Sequence, residues 1–145
     1  MLRKDSVISI EEFIEKLTAG GGSVPSPADC VESGYASGWL EVQDVLNRKE
    51  VLKRKTAARI LHEYLRRGQQ EADEVDGSPA YRLLDLFDCR VCAGHIIQVY
   101  VKGIMEGKQT ADGRLIFGTE DVVFKEEAEK ILERVFFRIN GKARK

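Results

Sequence analysis

Two cysteines and a histidine lie close together in one short segment of the chain. Cys89 and Cys92 form a Cys-x-x-Cys pair, and His95 follows three residues later. Zinc prefers thiolate and imidazole ligands, but a structural zinc site has four of them. The only remaining cysteine is Cys30. The segment therefore resembles an incomplete zinc site, and a redox pair or small core residues are the alternative interpretations.

The rest of the sequence offers no set of groups with catalytic roles. His62 and His95 are the only histidines. A catalytic histidine needs a nucleophile or a carboxylate within reach, and no spacing in the chain indicates one. The charged stretch around His62 predicts a solvated side chain, and His95 is interpreted as a packed or capping residue. We therefore expect a protein that is not an enzyme and that uses no cofactor and no metal.

Length, charge and cysteine content exclude several classes of protein. The 145 residues are 43% apolar and 32% charged, which predicts one globular domain. A net charge of -1 gives no attraction to nucleic acid, and no apolar run is long enough to span a bilayer. Three cysteines disfavour a disulfide scaffold and favour a reducing compartment. Because no signal peptide is evident, we expect a cytoplasmic protein if the chain is full length, and a cell-surface location if it is an excised domain.

Three long helices are predicted from apolar residues at helical spacing, at about residues 8–18, 51–67 and 124–138. Ser9 and Glu12 have the spacing of a capping box at the start of the first helix. Gly103 and the pair Asn140-Gly141 are predicted helix ends. The fold class that follows is all-α.

Two stretches of the chain resemble two later stretches. Residues 28–41 align without gaps with residues 93–106, and residues 52–61 align in the same way with residues 123–132. Such units cannot bury their apolar faces alone, so we expect them to pack around a core of three long helices. The prediction is one domain, 1–145, with a half repeat at 7–20, full repeats at 23–68 and 80–138, and an exposed acidic linker at 69–79.

The repeat resembles the S-layer homology (SLH) repeat. The segments that carry the resemblance are Gly103-Ile104-Met105-Glu106-Gly107, Asp112–Phe117 and Val123–Ala128, which follow the order of the family motifs. The resemblance covers most of the chain. It implies a pseudo-threefold bundle with three long helices at the centre. It also implies attachment to pyruvylated polysaccharide of a Gram-positive cell wall, because many family members anchor exported proteins there.

The family signature places an arginine at the start of each long helix. In this sequence only Arg54 keeps the arginine, and Lys125 keeps the positive charge. The ligand-binding residues that the resemblance implies are Arg54, Lys125 and Glu127, and the aromatic ring of Trp39 could stack on a sugar or anchor the core. Lysine does not replace arginine where a carboxylate is bound by two parallel hydrogen bonds, so the glycan site departs from the family pattern.

The leading functional hypothesis is a non-catalytic module that binds cell-wall polysaccharide. One alternative is an intracellular helical adaptor with a degenerate glycan site and a protein partner. The other is a small zinc-binding protein that uses Cys89, Cys92 and His95. No nucleic-acid partner is expected, and the sequence leaves the oligomeric state open.

Overall fold

A computed structural model describes residues 6–20 and 30–143 of the chain. This part of the chain is mostly helical, which confirms the helical class predicted from the sequence. Its α-helices are α1 (Ile10–Gly20), α2 (Cys30–Ala36), α3 (Val42–Leu46), α4 (Arg54–Glu63), α5 (Arg90–Val101) and α6 (Lys125–Ala143). A π-helical turn at Tyr64–Gly68 follows α4, and 3-10 turns lie at Ser78–Arg82 and Leu86–Asp88.

A short antiparallel hairpin lies between α5 and α6, and the sequence did not predict it. Strand β1 (Lys108–Gln109) pairs with strand β2 (Leu115–Ile116), and Lys108 lies opposite Ile116. Strands of two residues are too short to show the alternation of apolar and polar residues that identifies a strand. The hairpin could therefore not be found from periodicity.

The predicted start of α1 is confirmed, and the predicted end of α6 is wrong. Ser9 caps α1, because the backbone N–H of Glu12 donates to Ser9 Oγ at 3.1 Å. The predicted end at Asn140-Gly141 is wrong, since α6 continues to Ala143. A glycine inside a helix costs only about 1 kcal/mol, so it does not have to end one.

Helix α3 was missed because it is only five residues long. A local signal for it was nevertheless present. Glu41 and Asp44 form a capping box at its start, and the backbone N–H of Glu41 donates to Asp44 Oδ2 at 2.8 Å. Helix α2 lies within the aligned stretch 28–41, of which residues 28 and 29 lie outside the described residues.

Tertiary contacts divide the chain into two compact units. Unit 1 consists of Met1–Leu52 and Val122–Lys145, and unit 2 consists of Lys53–Asp121. Within unit 1, helix α1 packs against α2 and α6. Within unit 2, helix α4 packs against α5.

A ring of three backbone hydrogen bonds closes the core of unit 1. The N–H of Ile8 donates to the carbonyl of Val123 at 3.3 Å, that of Val123 to Leu52 at 2.9 Å, and that of Leu52 to Ile8 at 2.9 Å. All three side chains are fully buried. Each residue lies two positions before the first residue of a helix, namely α1, α4 or α6. The ring therefore joins three segments that are far apart in the sequence.

The acidic linker over residues 69–79 is tied to α5 within unit 2. Lys102 Nζ lies 2.7 Å from Glu71 Oε2, and both side chains are almost completely buried. The backbone N–H of Glu74 donates to Gln98 Oε1 at 2.8 Å. The prediction of an exposed linker is thus wrong for Glu71, because a lysine at the end of α5 neutralises its charge.

The ends of α2 and α5 have the same local geometry. Gly38 and Gly103 both take a positive φ, of 92° and 76°. The N–H of Gly38 donates to the carbonyl of Tyr35 at 3.1 Å, and that of Gly103 to the carbonyl of Tyr100 at 3.0 Å. The helix end predicted at Gly103 is confirmed, because glycine reaches this left-handed conformation without steric cost.

Replacing Gly103 with alanine is expected to lower the free energy of unfolding by about 1 kcal/mol. No atom lies within 4 Å of a Cβ built at this position, so the cost comes from the positive φ alone. The matched control is Gly94→Ala in α5, where a Cβ also meets nothing within 4 Å. There, alanine is expected to raise the same free energy by about 0.5 kcal/mol or more. Urea unfolding followed by circular dichroism measures both, and equal signs would contradict the prediction.

Candidate functional site

Arg54 is the signature arginine predicted to bind ligand, and its guanidinium is buried inside unit 2. Only 3% of the residue is exposed. Arg54 Nε donates to the carbonyl of Phe117 at 2.8 Å, and a terminal nitrogen donates to the carbonyl of Glu106. The guanidinium carbon lies 4.6 Å from the centre of the Phe117 ring. The side chain therefore binds the segment that follows the β-hairpin.

The same segment is held from another direction by Asp85. Its carboxylate accepts hydrogen bonds from the backbone N–H groups of Phe117, Gly118 and Thr119, at 2.6, 2.8 and 3.3 Å. Burial lowers the pKa of Arg54, whereas the negative charges of Asp121, Asp85 and Glu106 act in the opposite direction. Arginine stays charged in proteins, so the buried cation needs compensating groups. Here the carbonyl oxygens and the nearby carboxylates supply them.

The other three predicted ligand residues belong to unit 1. Lys125 is the first residue of α6, and its Nζ lies 3.6 Å from Glu12 Oε2, with both side chains partly exposed. Glu127 lies in the same helical turn and is half-buried. Trp39 is only 6% exposed. Its ring packs over Gly34, where an added Cβ would lie 2.9 Å from Trp39 Cζ2. The indole is therefore positioned as a core anchor.

Cys89 and Cys92 are joined in a disulfide, with their Cα atoms 5.2 Å apart. The cysteine count disfavours a disulfide scaffold, and this pair departs from that expectation, whereas Cys30 is a free cysteine. The pairing is possible because the start of α5 brings the two Cα atoms within the range that a disulfide spans. In this state the sulfurs are not thiolates, so Cys89 and Cys92 cannot serve as zinc ligands with His95.

His95 instead faces the second histidine of the chain. His62 Nδ1 lies 2.8 Å from His95 Nδ1, and His62 Nε2 lies 2.7 Å from Asp73 Oδ1. The two rings meet edge to face, with centroids 5.0 Å apart. The prediction of a solvated His62 is wrong, because only 7% of the residue is exposed. Packing of α4 against α5 brings the two rings together.

Charged side chains surround this histidine pair. Glu63 Oε2 lies 3.8 Å from His95 Nδ1, and Glu63 Oε1 accepts a hydrogen bond from Arg67 Nε at 2.6 Å. Burial acts to raise the pKa of Glu63, but hydrogen bonds from Arg67 and Arg66 hold it below its ordinary value. Burial, together with the nearby His62, lowers the pKa of His95, which favours a neutral imidazole at pH 7.

Three of these residues could hold a metal ion. One ligand atom each from His62, Glu63 and His95 lies within 4.8 Å of the others. The sequence named His95 as a candidate ligand and missed His62 and Glu63. No spacing in the sequence indicates them, because His62 and Glu63 are adjacent on a predicted helix and adjacent helical residues do not face each other. What was missing is the knowledge that this helix packs against α5.

Comparisons with protein-family models, with curated proteins and with solved structures find no match to this chain. Among the residues that the structure describes, no helix combines the length and the apolar character needed to cross a membrane.

Proposed function

We propose that this chain is a non-catalytic binding module with an SLH-like repeat organisation, and that it binds an anionic polysaccharide of a cell envelope. The observation that carries the proposal is the equivalent hydrogen bonding of the three segments that precede α1, α4 and α6. These segments are the positions where the SLH resemblance places the three signatures. The functional assignment follows from that resemblance.

The hydrogen bonds repeat from segment to segment. Ile8, Leu52 and Val123 form the ring described above. In addition, the backbone N–H of the first residue of α1, α4 and α6 donates to a backbone carbonyl. In each case the accepting residue lies two positions before one of the three residues of the ring. These bonds run from Ile10 to Glu50 at 3.0 Å, from Lys125 to Ser6 at 2.9 Å, and from Arg54 to Asp121 at 2.8 Å. The pattern supports a pseudo-threefold origin for the three segments.

Local geometry at the glycines supports the same organisation. Gly38 and Gly103 align in the sequence repeat and share a positive φ, and the backbone N–H of each donates to the carbonyl of the tyrosine three positions earlier. The disulfide between Cys89 and Cys92 supports an envelope location, because disulfides persist in oxidising compartments.

Lys125 and Glu127 are the signature residues proposed to contact the polysaccharide. Lys125 is partly exposed and only loosely paired with Glu12, so it is available to an acidic sugar substituent. The Glu127 carboxylate could accept hydrogen bonds from sugar hydroxyls. Arg54 and Trp39 are given structural roles in this proposal, because both are buried.

Binding of the purified chain to pyruvylated cell-wall polysaccharide tests the proposal. Lys125→Ala is expected to weaken the binding about tenfold, because one charge-assisted contact is lost. Lys49→Ala is the matched control. Lys49 is also an exposed lysine of unit 1 that pairs with a glutamate of α1, Glu11, at 2.6 Å. We expect the control to bind as the unmodified chain does. Polysaccharide without pyruvate should bind weakly.

Absence of binding by the folded, unmodified chain would contradict the proposal. That outcome would favour the protein-interaction adaptor, for which the same chain would be used as bait for a protein partner. Equal affinities for Lys125→Ala and Lys49→Ala would remove Lys125 from the binding site.

A further inference from the structure

Unit 2 contains a cluster of metal-binding side chains that polysaccharide attachment does not use. His62 and Glu63 come from α4, and His95 comes from α5. We propose that these three residues bind a divalent transition-metal ion of the zinc type. The ligand set differs from the Cys89, Cys92 and His95 set that the sequence suggested, because it contains no sulfur.

The distances suit such an ion. A tetrahedral zinc ion with bonds of about 2.0–2.1 Å holds neighbouring ligand atoms about 3.3 Å apart. His62 Nδ1 and His95 Nδ1 are 2.8 Å apart, and His95 Nδ1 and Glu63 Oε2 are 3.8 Å apart. The two distances lie on either side of the ideal value. All three ligand atoms lie within 4.8 Å of one another, so side-chain rotations would bring them around one ion.

Asp73 prepares His62 for this role. Its carboxylate lies 2.7 Å from His62 Nε2, so it accepts the Nε2–H of the imidazole. The lone pair of the neutral ring is then on Nδ1, which points toward His95 Nδ1. A carboxylate that orients a histidine in this way is the usual outer partner of a metal-bound imidazole.

The Nδ1 atoms of His62 and His95 face each other, so a proton or a metal ion must lie between their lone pairs. Without an ion, a hydrogen bond at 2.8 Å requires that one of the two nitrogens carries a proton. A metal ion would take the place of that proton and bind both lone pairs, and the proton of His95 would move from Nδ1 to Nε2, so that the ring stays neutral.

Local charges limit the affinity without removing the site. Arg66 and Arg67 lie next to Glu63, and the charge of Arg59 also acts on His95. Arg67 donates to Glu63 Oε1 at 2.6 Å, and Arg66 reaches Oε2, the oxygen that lies 3.8 Å from His95 Nδ1, at 3.4 Å. The carboxylates of Glu63 and Asp73 supply the compensating negative charge. Three protein ligands leave a fourth position for water or for an external anion.

Titration of the intact, oxidised chain with ZnCl₂ in a calorimeter tests the proposal. We expect one ion per chain, and we expect Co²⁺ to give the visible absorption of a tetrahedral site. His95→Gln should weaken Zn²⁺ binding at least tenfold, because a ligand is lost, and Asp73→Asn should weaken it about tenfold, because His62 loses its orientation. The partly exposed side chain of Asp73 makes the second variant a mild change to the fold.

The double variant Cys89→Ser/Cys92→Ser is the matched control, and it should bind Zn²⁺ as tightly as the unmodified chain. Circular dichroism of each variant confirms that it is folded. No Zn²⁺ binding by the oxidised chain would overturn the proposal and leave a histidine pair that shares a proton. Binding that survives His95→Gln and Asp73→Asn but disappears in the serine variant would also overturn it, because the bound ion would then depend on the disulfide segment and not on the histidine pair.

Discussion

Replacing Arg54 with alanine is expected to lower the free energy of unfolding by about 3 kcal/mol, because a buried cation with several hydrogen bonds is lost. The guanidinium donates to the carbonyls of Phe117 and Glu106 and lies over the Phe117 ring. Its removal leaves those carbonyl oxygens without their donors in a buried place. Urea unfolding followed by circular dichroism measures the loss.

Arg114→Ala is the control for this experiment. Arg114 is an arginine of the same unit, but its side chain is 65% exposed, and its carboxylate partner, Asp112, is exposed as well. An exposed ion pair contributes little, so we expect a change below about 0.5 kcal/mol. Arg54→Lys should recover only part of the loss, since lysine keeps the charge but not the planar fork that reaches two carbonyls. Equal changes for Arg54→Ala and Arg114→Ala would show that Arg54 does not hold the loop.

Replacing Lys102 with methionine is expected to destabilise the chain by about 3 kcal/mol, because Glu71 would keep a buried charge without its lysine. Lys102 Nζ lies 2.7 Å from Glu71 Oε2, and it also donates to the carbonyl of Ala72. The two side chains are 2% and 5% exposed. Thermal and urea unfolding of the single variant measure the effect.

The double variant Lys102→Met/Glu71→Leu separates the pair from its surroundings. Removing both charges should restore most of the lost stability, since two apolar groups of similar size need no partner. The resulting double-mutant cycle gives the coupling between the residues. Lys108→Met is the control, because the ion pair of Lys108 with Asp121 is exposed and should contribute less than about 1 kcal/mol. A double variant as unstable as the single one would contradict the assignment of this ion pair.

Features set by neighbouring residues could be predicted from the sequence. The Ser9 cap and the helix end at Gly103 depend on a few consecutive positions, and the structure contains both. The helical class also follows from periodicity, which records only the burial of one face. The repeat and its pseudo-threefold arrangement remain predictions, which the bonding pattern around Ile8 supports.

Features set by distant residues could not be predicted. His62 was expected to be solvated because its neighbours in the sequence are polar, whereas its partners His95 and Asp73 lie on other segments. Glu71 was expected to be exposed for the same reason. Sequence patterns give the polarity of a residue but not the identity of the charge that will face it. The candidate metal site and the buried ion pair both depend on the packing of α4 and the linker against α5.

The ring of Ile8, Leu52 and Val123 has a consequence for the order in which the chain folds. Ile8 and Leu52 come from the first half of the chain, and Val123 lies just before α6. All of unit 2 is synthesised between them, so unit 1 cannot be completed until α6 has emerged from the ribosome. Closing such a long loop has an entropic cost that precedes any gain from packing, which slows folding. Until then, α6 does not cover the apolar residues of α1. Exposed apolar surface makes the nascent chain prone to aggregation.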